Sequence, residues 1–277
     1  MGCSFCEERA AKLTVLRPAE SVASAMQKAV GLYGDEDLHF YLEASWFTPT
    51  AHWARRFADE HIRSGLKTLW RCETRVDTLQ AAILPDLARS GLKVIDLGLE
   101  SASATQLIRM NKTHDTGRYL RKASELLNRC SDLGVWPKVN VMLYAGETEE
   151  TVNQSREWLE RHRRCIKGVS VGAVTVYGHD LQAHQYMREL SAFGASPVDS
   201  SSIDRDGYAN LHLSRDMDYD RASAVIGDIA RDHMNDRDYY DLKTFSYLPR
   251  GYTYQEFRKD LAGIREQDLP FLVIDRQ

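Results

Sequence analysis

The sequence lacks the signals of membrane insertion and of secretion. It contains no apolar run of about 18 residues, the length that a membrane-spanning helix needs, and no signal peptide at its amino terminus. We therefore expect a cytoplasmic protein that has no membrane partner.

The sequence also lacks an excess of positive charge. Its 277 residues carry 36 Lys and Arg against 40 Asp and Glu, which gives a formal net charge of -4. The basic run at residues 161–164 lies beside Glu157 and Glu160, a pattern that is typical of a solvated helix end. No nucleic-acid partner is predicted.

Cysteine is scarce, and its five positions are an odd number spread widely along the chain, so we expect no disulfide framework. Only Cys3 and Cys6 lie close together, as a C-x-x-C pair. A thioredoxin-like pair would follow a strand, and a zinc site would need two further Cys or His ligands at suitable spacing. Neither condition is met in the sequence, and the pair alone stays a weak indication of metal binding.

From residue 18 onward the chain alternates helical and strand periodicity. The predicted helices are 18–33, 50–64, 79–90, 103–133 and a helix that follows residues 146–150 and runs to about 163. The predicted strands are 38–42, one that begins at 68–71, 94–99, 138–144 and 169–176. Strands that alternate with helices predict an α/β fold with a mostly parallel sheet, which can close as a barrel, curl as a partial barrel or lie open.

Polar residues follow several of these strands. The positions are Glu43 and Ser45, Arg75 and Asp77, residues 100–103, and Glu147. Because the site of a parallel α/β fold lies at the carboxyl ends of its strands, we expect the chemistry at this one rim.

The pattern changes after residue 177. Residues 178–210 are irregular, 210–213 are a candidate strand and 218–234 a candidate helix. We therefore predict two regions, a βα core at 1–177 and a carboxyl-terminal α+β cap or accessory region at 178–277.

Residues 2–6 (GCSFC) resemble the second half of the radical S-adenosylmethionine (SAM) motif C-x-x-x-C-x-φ-C, where φ is aromatic. Six downstream segments resemble further motifs of that superfamily in its order. They are 17–22 (RPAESV), 39–43 (HFYLE), 70–77 (ending R-x-D), 91–103 (containing G-L-E-S-A-S), 110–114 (MNKTH) and 145–151 (AGETEET). The resemblance covers residues 2–176 and is greatest to the class with methylthiotransferases and cobalamin-dependent methyltransferases.

The resemblance implies a 4Fe–4S cluster on three thiolates, whose open iron binds SAM and whose electron cleaves it to a 5′-deoxyadenosyl radical. It places Cys3 and Cys6 as two of the three cluster ligands and Phe5 against the adenine of SAM. It also implies the fold, a partial parallel βα barrel of the radical SAM type whose first strand is missing.

Three further residues take SAM-binding roles by the same resemblance. Glu43 stands where family members contact the SAM amino group, although an ordinary strand-end residue is an equal interpretation. Glu100 would accept hydrogen bonds from the ribose hydroxyls. Arg75 would pair with the SAM carboxylate, or instead with Asp77 or Glu100.

One departure from the family pattern affects the expected activity. The first cysteine of the motif would lie four residues before Cys3, and no such position exists in this sequence. We interpret this as a late start codon or a fragment rather than a lost ligand. With two thiolates only, the activity of this chain would be doubtful.

The resemblance predicts a radical SAM enzyme that acts on a small molecule by dehydrogenation, decarboxylation, epimerisation or rearrangement, with flavodoxin or ferredoxin as the reducing partner. One alternative is a cobalamin-dependent methyltransferase whose cobalamin domain lies upstream. Another is a cluster-free α/β binding or partner protein. The lack of a Cys-rich carboxyl-terminal segment argues against subgroups that carry auxiliary clusters.

Overall fold

The computed structural model describes residues 2–6, 16–34, 38–44, 46–245 and 247–274. The elements of its first part, in chain order, are α1 (Ala19–Tyr33), β1 (His39–Leu42), α2 (Ala51–Arg63), β2 (Leu69–Arg75), α3 (Leu84–Arg89), β3 (Leu92–Glu100), α4 (Ala104–Arg109), α5 (Thr116–Asp132), β4 (Trp136–Leu143), α6 (Glu149–Arg161) and β5 (Gly168–Ala173). None of the helices in these ranges is both long enough and apolar enough to cross a membrane.

The five strands form one parallel sheet in the order β1-β2-β3-β4-β5, with helices between consecutive strands. The register aligns Arg71 of β2 with Tyr41 of β1 and with Val94 of β3. Strands β1 and β5 are the two edges, and the described residues contain no pairing between them. The predicted α/β fold, a partial parallel βα barrel, is confirmed.

The outer face of the sheet is apolar and lies under the helices. Trp70, Ile95, Leu97 and Val139 point to this face and are completely buried in the main core together with residues of α2, α3, α5 and α6. Burial of such side chains is worth about 1.5–3 kcal/mol each. The contact between this face and the helices therefore stabilises the sheet by several such contributions.

The inner face of the sheet is polar. Arg71 of β2 and Lys138 of β4 both form ion pairs with Asp96 of β3, the latter at 3.0 Å. At the level of Asp96 on the same face, Tyr41 Oη donates to Glu73 Oε2 at 2.6 Å. Glu73 and Ser170, both within strands, are exposed, so this face is partly open to solvent.

The elements of the second part are β6 (Val176–Tyr177), α7 (Leu181–Ser191), β7 (Ser196–Pro197), α8 (Ser202–Asp206), β8 (Tyr208–Ala209), β9 (Leu211–His212), α9 (Tyr219–His233), α10 (Asp236–Lys243) and α11 (Tyr254–Asp260). Strands β6 and β8, and β7 and β9, form two small antiparallel sheets. Helix α9 packs against β5, and a second core joins Met234, Leu242 and Phe257 to Val94 of β3. The domain boundary at residue 177 stays a prediction.

Three segments differ from the sequence-based assignment. The predicted helix 103–133 breaks between α4 and α5, because Asn111 has a positive φ of 49° and Asp115 caps a new helix by accepting from Arg118 N at 2.9 Å. The strand predicted at 169–176 ends at Ala173, and β6 pairs elsewhere. The region 178–210, which the sequence predicts to be irregular, contains α7, whose first turn is capped by Asp180.

Candidate active site at the carboxyl rim

Residues 2–6 lie on the carboxyl rim of the sheet. Ser4 N donates to Met110 O at 2.9 Å, and Asn111 Nδ2 donates to Gly2 O at 3.0 Å. Ser4 Oγ lies 2.9 Å from the hydroxyl of Tyr144, the residue that follows β4. These bonds hold Cys3, which is buried, and the less buried Cys6 beside the ends of β3 and β4.

Arg75, at the end of β2, contacts Cys3 directly. Its Nη1 lies 3.0 Å from Cys3 Sγ, while Nε and Nη2 donate to the two oxygens of Asp77 at 2.9 and 3.1 Å. Burial lowers the pKa of Arg75, but the hydrogen bond and charge of Asp77 and the charge of Cys3 raise it above its ordinary value. The guanidinium is therefore a fixed cation that donates a hydrogen bond to Cys3 Sγ. The ion pair of Arg75 with Asp77, one of the alternatives predicted from the sequence, is present, and Cys3 is a second partner of Arg75.

Glu100 ends β3 in an unusual backbone conformation. The register between β3 and β4 shifts between Gly98 and Glu100, and Glu100 has a φ of 63°. Its Oε1 accepts from Lys112 Nζ at 2.9 Å, with 11% of the Glu100 side chain and 3% of the Lys112 side chain exposed. A Cβ at residue 98 would lie 2.7 Å from Glu100 Oε1, so the ion pair requires glycine there. Lys112 Nζ also lies 5.6 Å from the centroid of the Phe5 ring.

Sequence reasoning assigned no role to Lys112, although the signal was present in the M-x-[KR] segment that contains it. It also missed Tyr119 of α5, whose hydroxyl lies 3.1 Å from Gly98 O and 2.9 Å from Leu99 O. Burial, and then the charge of Glu100, raises the pKa of Tyr119, which stays a neutral hydrogen-bond donor. Tyr119 thus stabilises the backbone that immediately precedes Glu100. Its helical spacing in the sequence indicates only a core residue.

The turn after β4 is held by the side chains of Arg109 and Glu147 and by the backbone of Leu213. Gly146 has a φ of 78°, its carbonyl accepts from Arg109 Nη1 at 2.8 Å and its N–H donates to Leu213 O at 2.7 Å. Glu147 is buried and accepts from Tyr144 N at 3.0 Å. Burial raises the pKa of Glu147 against the opposing effect of these hydrogen bonds. Glu147 therefore stabilises the turn through its hydrogen bonds. The predicted N-cap of α6 by Thr148 is present.

Glu43 lies apart from this cluster. It follows β1 and lines a cavity of about 370 Å³ with Phe40 and Trp53 along the edge strand. Among the described residues it forms no hydrogen bond or ion pair with Cys3 or Arg75. Ser45, the other polar residue predicted after this strand, lies outside the described residues.

No protein-family model matches the sequence, and no curated protein matches it. Solved structures do match. The radical SAM methyltransferase TsrM from Kitasatospora setae, with tryptophan substrate and the SAM analogue aza-SAM bound, aligns with a TM-score of 0.65 and 15% identity over 94% of this chain and 59% of that chain. This chain has the radical SAM fold.

A second match with the radical SAM fold is the cobalamin-dependent SAM radical enzyme OxsB with aqua-cobalamin and S-adenosylmethionine bound. Its TM-score is 0.50 and its identity 18%, over 69% of this chain and 28% of that chain. The present chain therefore spans less than two thirds of the length of either protein.

The remaining cysteines of this radical SAM fold lie away from the rim. Cys72 and Cys130 are completely buried in the main core, and burial raises the pKa of both thiols, that of Cys130 to about 12. Cys165 Sγ lies 3.3 Å from Asn128 Oδ1 beyond α6. No group of three or more His, Cys, Asp or Glu side chains suited to a metal occurs within the described ranges. Cys3, beside a fixed cation, and Cys6 supply two thiols at the rim, which is fewer than the three that the implied cluster needs.

Proposed function

We propose that this chain is a radical SAM enzyme that acts on a small-molecule substrate, with its cofactors at the carboxyl rim. One observation carries the proposal. Two cysteines, an aromatic ring, a guanidinium and a buried Glu–Lys pair converge at the rim of a radical SAM fold, namely Cys3, Cys6, Phe5, Arg75, Glu100 and Lys112.

Cys3 and Cys6 would supply two thiolates to a 4Fe–4S cluster. With SAM bound, such a cluster supplies the electron that cleaves SAM to a 5′-deoxyadenosyl radical. Arg75, hydrogen-bonded to Cys3, would hold the position of its sulfur. Since Cys72 is in the core, and Cys130 and Cys165 also lie elsewhere, the third ligand must be a group other than these cysteines.

Glu100 is suited to bind ribose hydroxyls. A carboxylate has about four acceptor sites, and among the described residues only Lys112 donates to this one, through Oε1. Oε2 is left to accept from a ligand, while the ammonium fixes the orientation of the carboxyl group. Phe5, beside Lys112, would offer an apolar face to the adenine and exclude water there.

Arg75 and Glu43 would complete the SAM contacts. Arg75 keeps its charge, so we assign it the SAM carboxylate in addition to its contact with Cys3. Glu43 remains our assignment for the SAM amino group, on the side of β1 that carries the cavity of about 370 Å³.

Cobalamin-dependent methyl transfer is a second candidate. The observation that favours it is the likeness to TsrM, a methyltransferase, over 94% of this chain. For the first candidate we expect flavodoxin or ferredoxin as the reducing partner. A cluster-free binding protein is the outcome if neither reaction occurs.

The test uses the chain extended at its amino terminus so that the first cysteine of the motif stands four residues before Cys3. It is reconstituted anaerobically with iron and sulfide and then incubated with SAM and dithionite, with and without cobalamin. We expect 5′-deoxyadenosine, and C3A/C6A should abolish both iron binding and this product while C165A retains both. A methylated product that requires cobalamin would favour the second candidate. A full iron load without consumption of SAM would contradict both enzyme assignments.

The SAM site is tested separately by calorimetry. E100Q should weaken SAM binding about tenfold, because one charge-assisted hydrogen bond is worth roughly 1.5 kcal/mol or more. The matched control is E157Q, a change of the same kind at an exposed position on α6. Equal affinities for E100Q and the unchanged protein would show that Glu100 does not bind SAM.

A further inference from the structure

Asn140 is a polar residue in the middle of β4, and its side chain lies on the inner face of the sheet. Lys138, two residues earlier, pairs with Asp96 across this face, while Val139 and Val141 are buried in the main core. Because side chains alternate along a strand, Asn140 points to the same side as Lys138. The inner face therefore presents a half-buried carboxamide above the charged cluster.

The carboxamide of Asn140 has no hydrogen-bond partner within the described ranges. Such a group offers two N–H donors and an oxygen that accepts two bonds. The polar side chains near it differ in this respect, since Lys138 bonds to Asp96 and Glu73 accepts from Tyr41. The full bonding capacity of Asn140 is thus left for a ligand.

The neighbours of Asn140 in the sheet leave room beside it. The register places Gly98 of β3 on one side and Ser170 of β5 on the other. Ser170 is exposed, and its hydroxyl forms no hydrogen bond with any described residue. Toward the rim, Gly172 is aligned with Met142, and a Cβ at residue 172 would meet no atom within 4 Å. Since adjacent strands lie about 4.8 Å apart, one small group can contact Asn140 and Ser170 together.

Asn140 lies directly below the rim. The ladder between β3 and β4 aligns Gly98 with Asn140 and then, after the register shift, Glu100 with Val141. One strand residue rises about 3.3 Å and adjacent strands are about 4.8 Å apart, so the backbones of Asn140 and Glu100 are about 6 Å apart. A group bound to Asn140 therefore lies beside the position proposed for the ribose of SAM.

The charges on the inner face next to Asn140 are balanced. The register aligns Glu73, Asp96 and Lys138 at one level, and Arg71 also pairs with Asp96. Two carboxylates therefore accompany two cations at this level of the sheet.

The other charged groups around this part of the inner face are balanced as well. Those at the rim form two ion pairs, Arg75 with Asp77 and Glu100 with Lys112. Lys243 of α10, which lines a cavity of about 260 Å³ with Ser170, and Glu43 after β1 add one charge of each sign. A charged group at Asn140 would introduce an unpaired charge, and an uncharged group would not.

We propose that Asn140 and Ser170 bind an uncharged carboxamide group of the substrate and so hold the reacting carbon next to the rim. A carboxamide both donates and accepts, so it can form two hydrogen bonds with the amide of Asn140 and a third with the hydroxyl of Ser170. Asn140 is thus a specificity-determining residue. This assignment deepens the proposed function and rests on it for the position of SAM.

The test is a saturation-transfer NMR titration of the purified chain with three probes of similar shape, isobutyramide, isobutyrate and isobutylamine. At neutral pH the first is uncharged, the second an anion and the third a cation. We expect saturable binding of isobutyramide, and weaker binding of both ions. N140L should weaken the binding of isobutyramide about fivefold or more, the usual effect of losing one or more hydrogen bonds, and S170A should weaken it less.

N140D changes the charge at constant size. It replaces the N–H donors of Asn140 with a negative charge, so this variant should bind isobutylamine more tightly than isobutyramide. The matched controls are N153L and N153D, the same changes at an exposed position of α6. Because no described residue bonds to the Asn140 side chain, these replacements leave no protein partner unpaired and the variants should fold.

Absence of saturable binding of isobutyramide, equal binding of the three probes, or equal affinities for N140L and N153L would overturn the assignment of Asn140. A SAM titration of the same unchanged chain separates the two proposals. Binding of SAM without binding of isobutyramide refutes the carboxamide site alone. Binding of isobutyramide without binding of SAM refutes the SAM site and leaves the carboxamide site in place.

Discussion

The two faces of the sheet differ in what they carry, although the same strands form both. On the outer face, Leu97 and its neighbours are buried under helices, while on the inner face the adjacent Asp96 is enclosed by cations. Alternation along a strand places each residue opposite in direction to the next one. One strand can therefore contribute apolar side chains to the core on one face and charged side chains to a site on the other.

The comparison shows where stability and chemistry are separated. Outer-face side chains act through apolar area, which tolerates changes of shape better than changes of charge. Inner-face charges act through partners on neighbouring strands, so each depends on the register of the sheet. Substitutions on the two faces should consequently differ in kind, and the following variants test this from the largest expected effect to the smallest.

Asp96→Asn should have the largest effect. It leaves Arg71 and Lys138 without their shared carboxylate, and loss of one partner of a buried pair costs about 3–5 kcal/mol. Urea denaturation measures this loss.

The control for this change is Asp59→Asn, since Asp59 pairs with Arg89 at an exposed position and the pair is worth less than about 1 kcal/mol. Equal destabilisation by the two variants would show that the inner-face charges are solvated like surface charges.

Leu97→Ala should destabilise the chain by about 3 kcal/mol, because it opens a cavity in a completely buried position of the outer face. Ser170→Ala, on the exposed part of the inner face, should change the free energy of unfolding by less than about 0.5 kcal/mol. Thermal and urea denaturation measure both. Equal losses of stability for Leu97→Ala and Ser170→Ala would contradict the difference between the two faces.

Tyr119→Phe should cost about 1 kcal/mol, the usual net value of one hydrogen bond, because its hydroxyl serves Gly98 and Leu99 carbonyls at the end of β3. Since these carbonyls precede Glu100, SAM affinity should fall as well. Tyr41→Phe is the control, because it removes a hydroxyl bonded to the exposed Glu73. An equal effect of the two variants on SAM affinity would show that Tyr119 does not position Glu100.

The periodicity of the sequence predicted the five strands in order and the parallel sheet, because burial on an outer face repeats regularly along each strand. The rim was predictable too, since the chain direction places Arg75 and Glu100 at the same edge. The helix break at Asn111 was not, because a single residue of positive φ leaves the apolar spacing on both sides intact.

The charged cluster on the inner face could not be predicted from the sequence. Arg71 and Asp96 are 25 positions apart, and Asp96 and Lys138 are 42 apart. Their contact depends on the register between three strands, and a shift by one residue would turn each side chain to the opposite face. The pairing of Lys112 with Glu100 depended likewise on the bulge at the end of β3.

The anchoring of residues 2–6 has a consequence for the speed with which a ligand is captured. Fixing the backbone of a flexible loop costs about 1–2 kcal/mol per residue, and a ligand that must order its own loop loses this from its affinity. Here the bonds of Gly2 and Ser4 to Asn111, Met110 and Tyr144 already fix the segment when the chain folds. A group that bound Cys3 and Cys6 would therefore meet a segment that is already ordered, and its association would need no conformational search by residues 2–6.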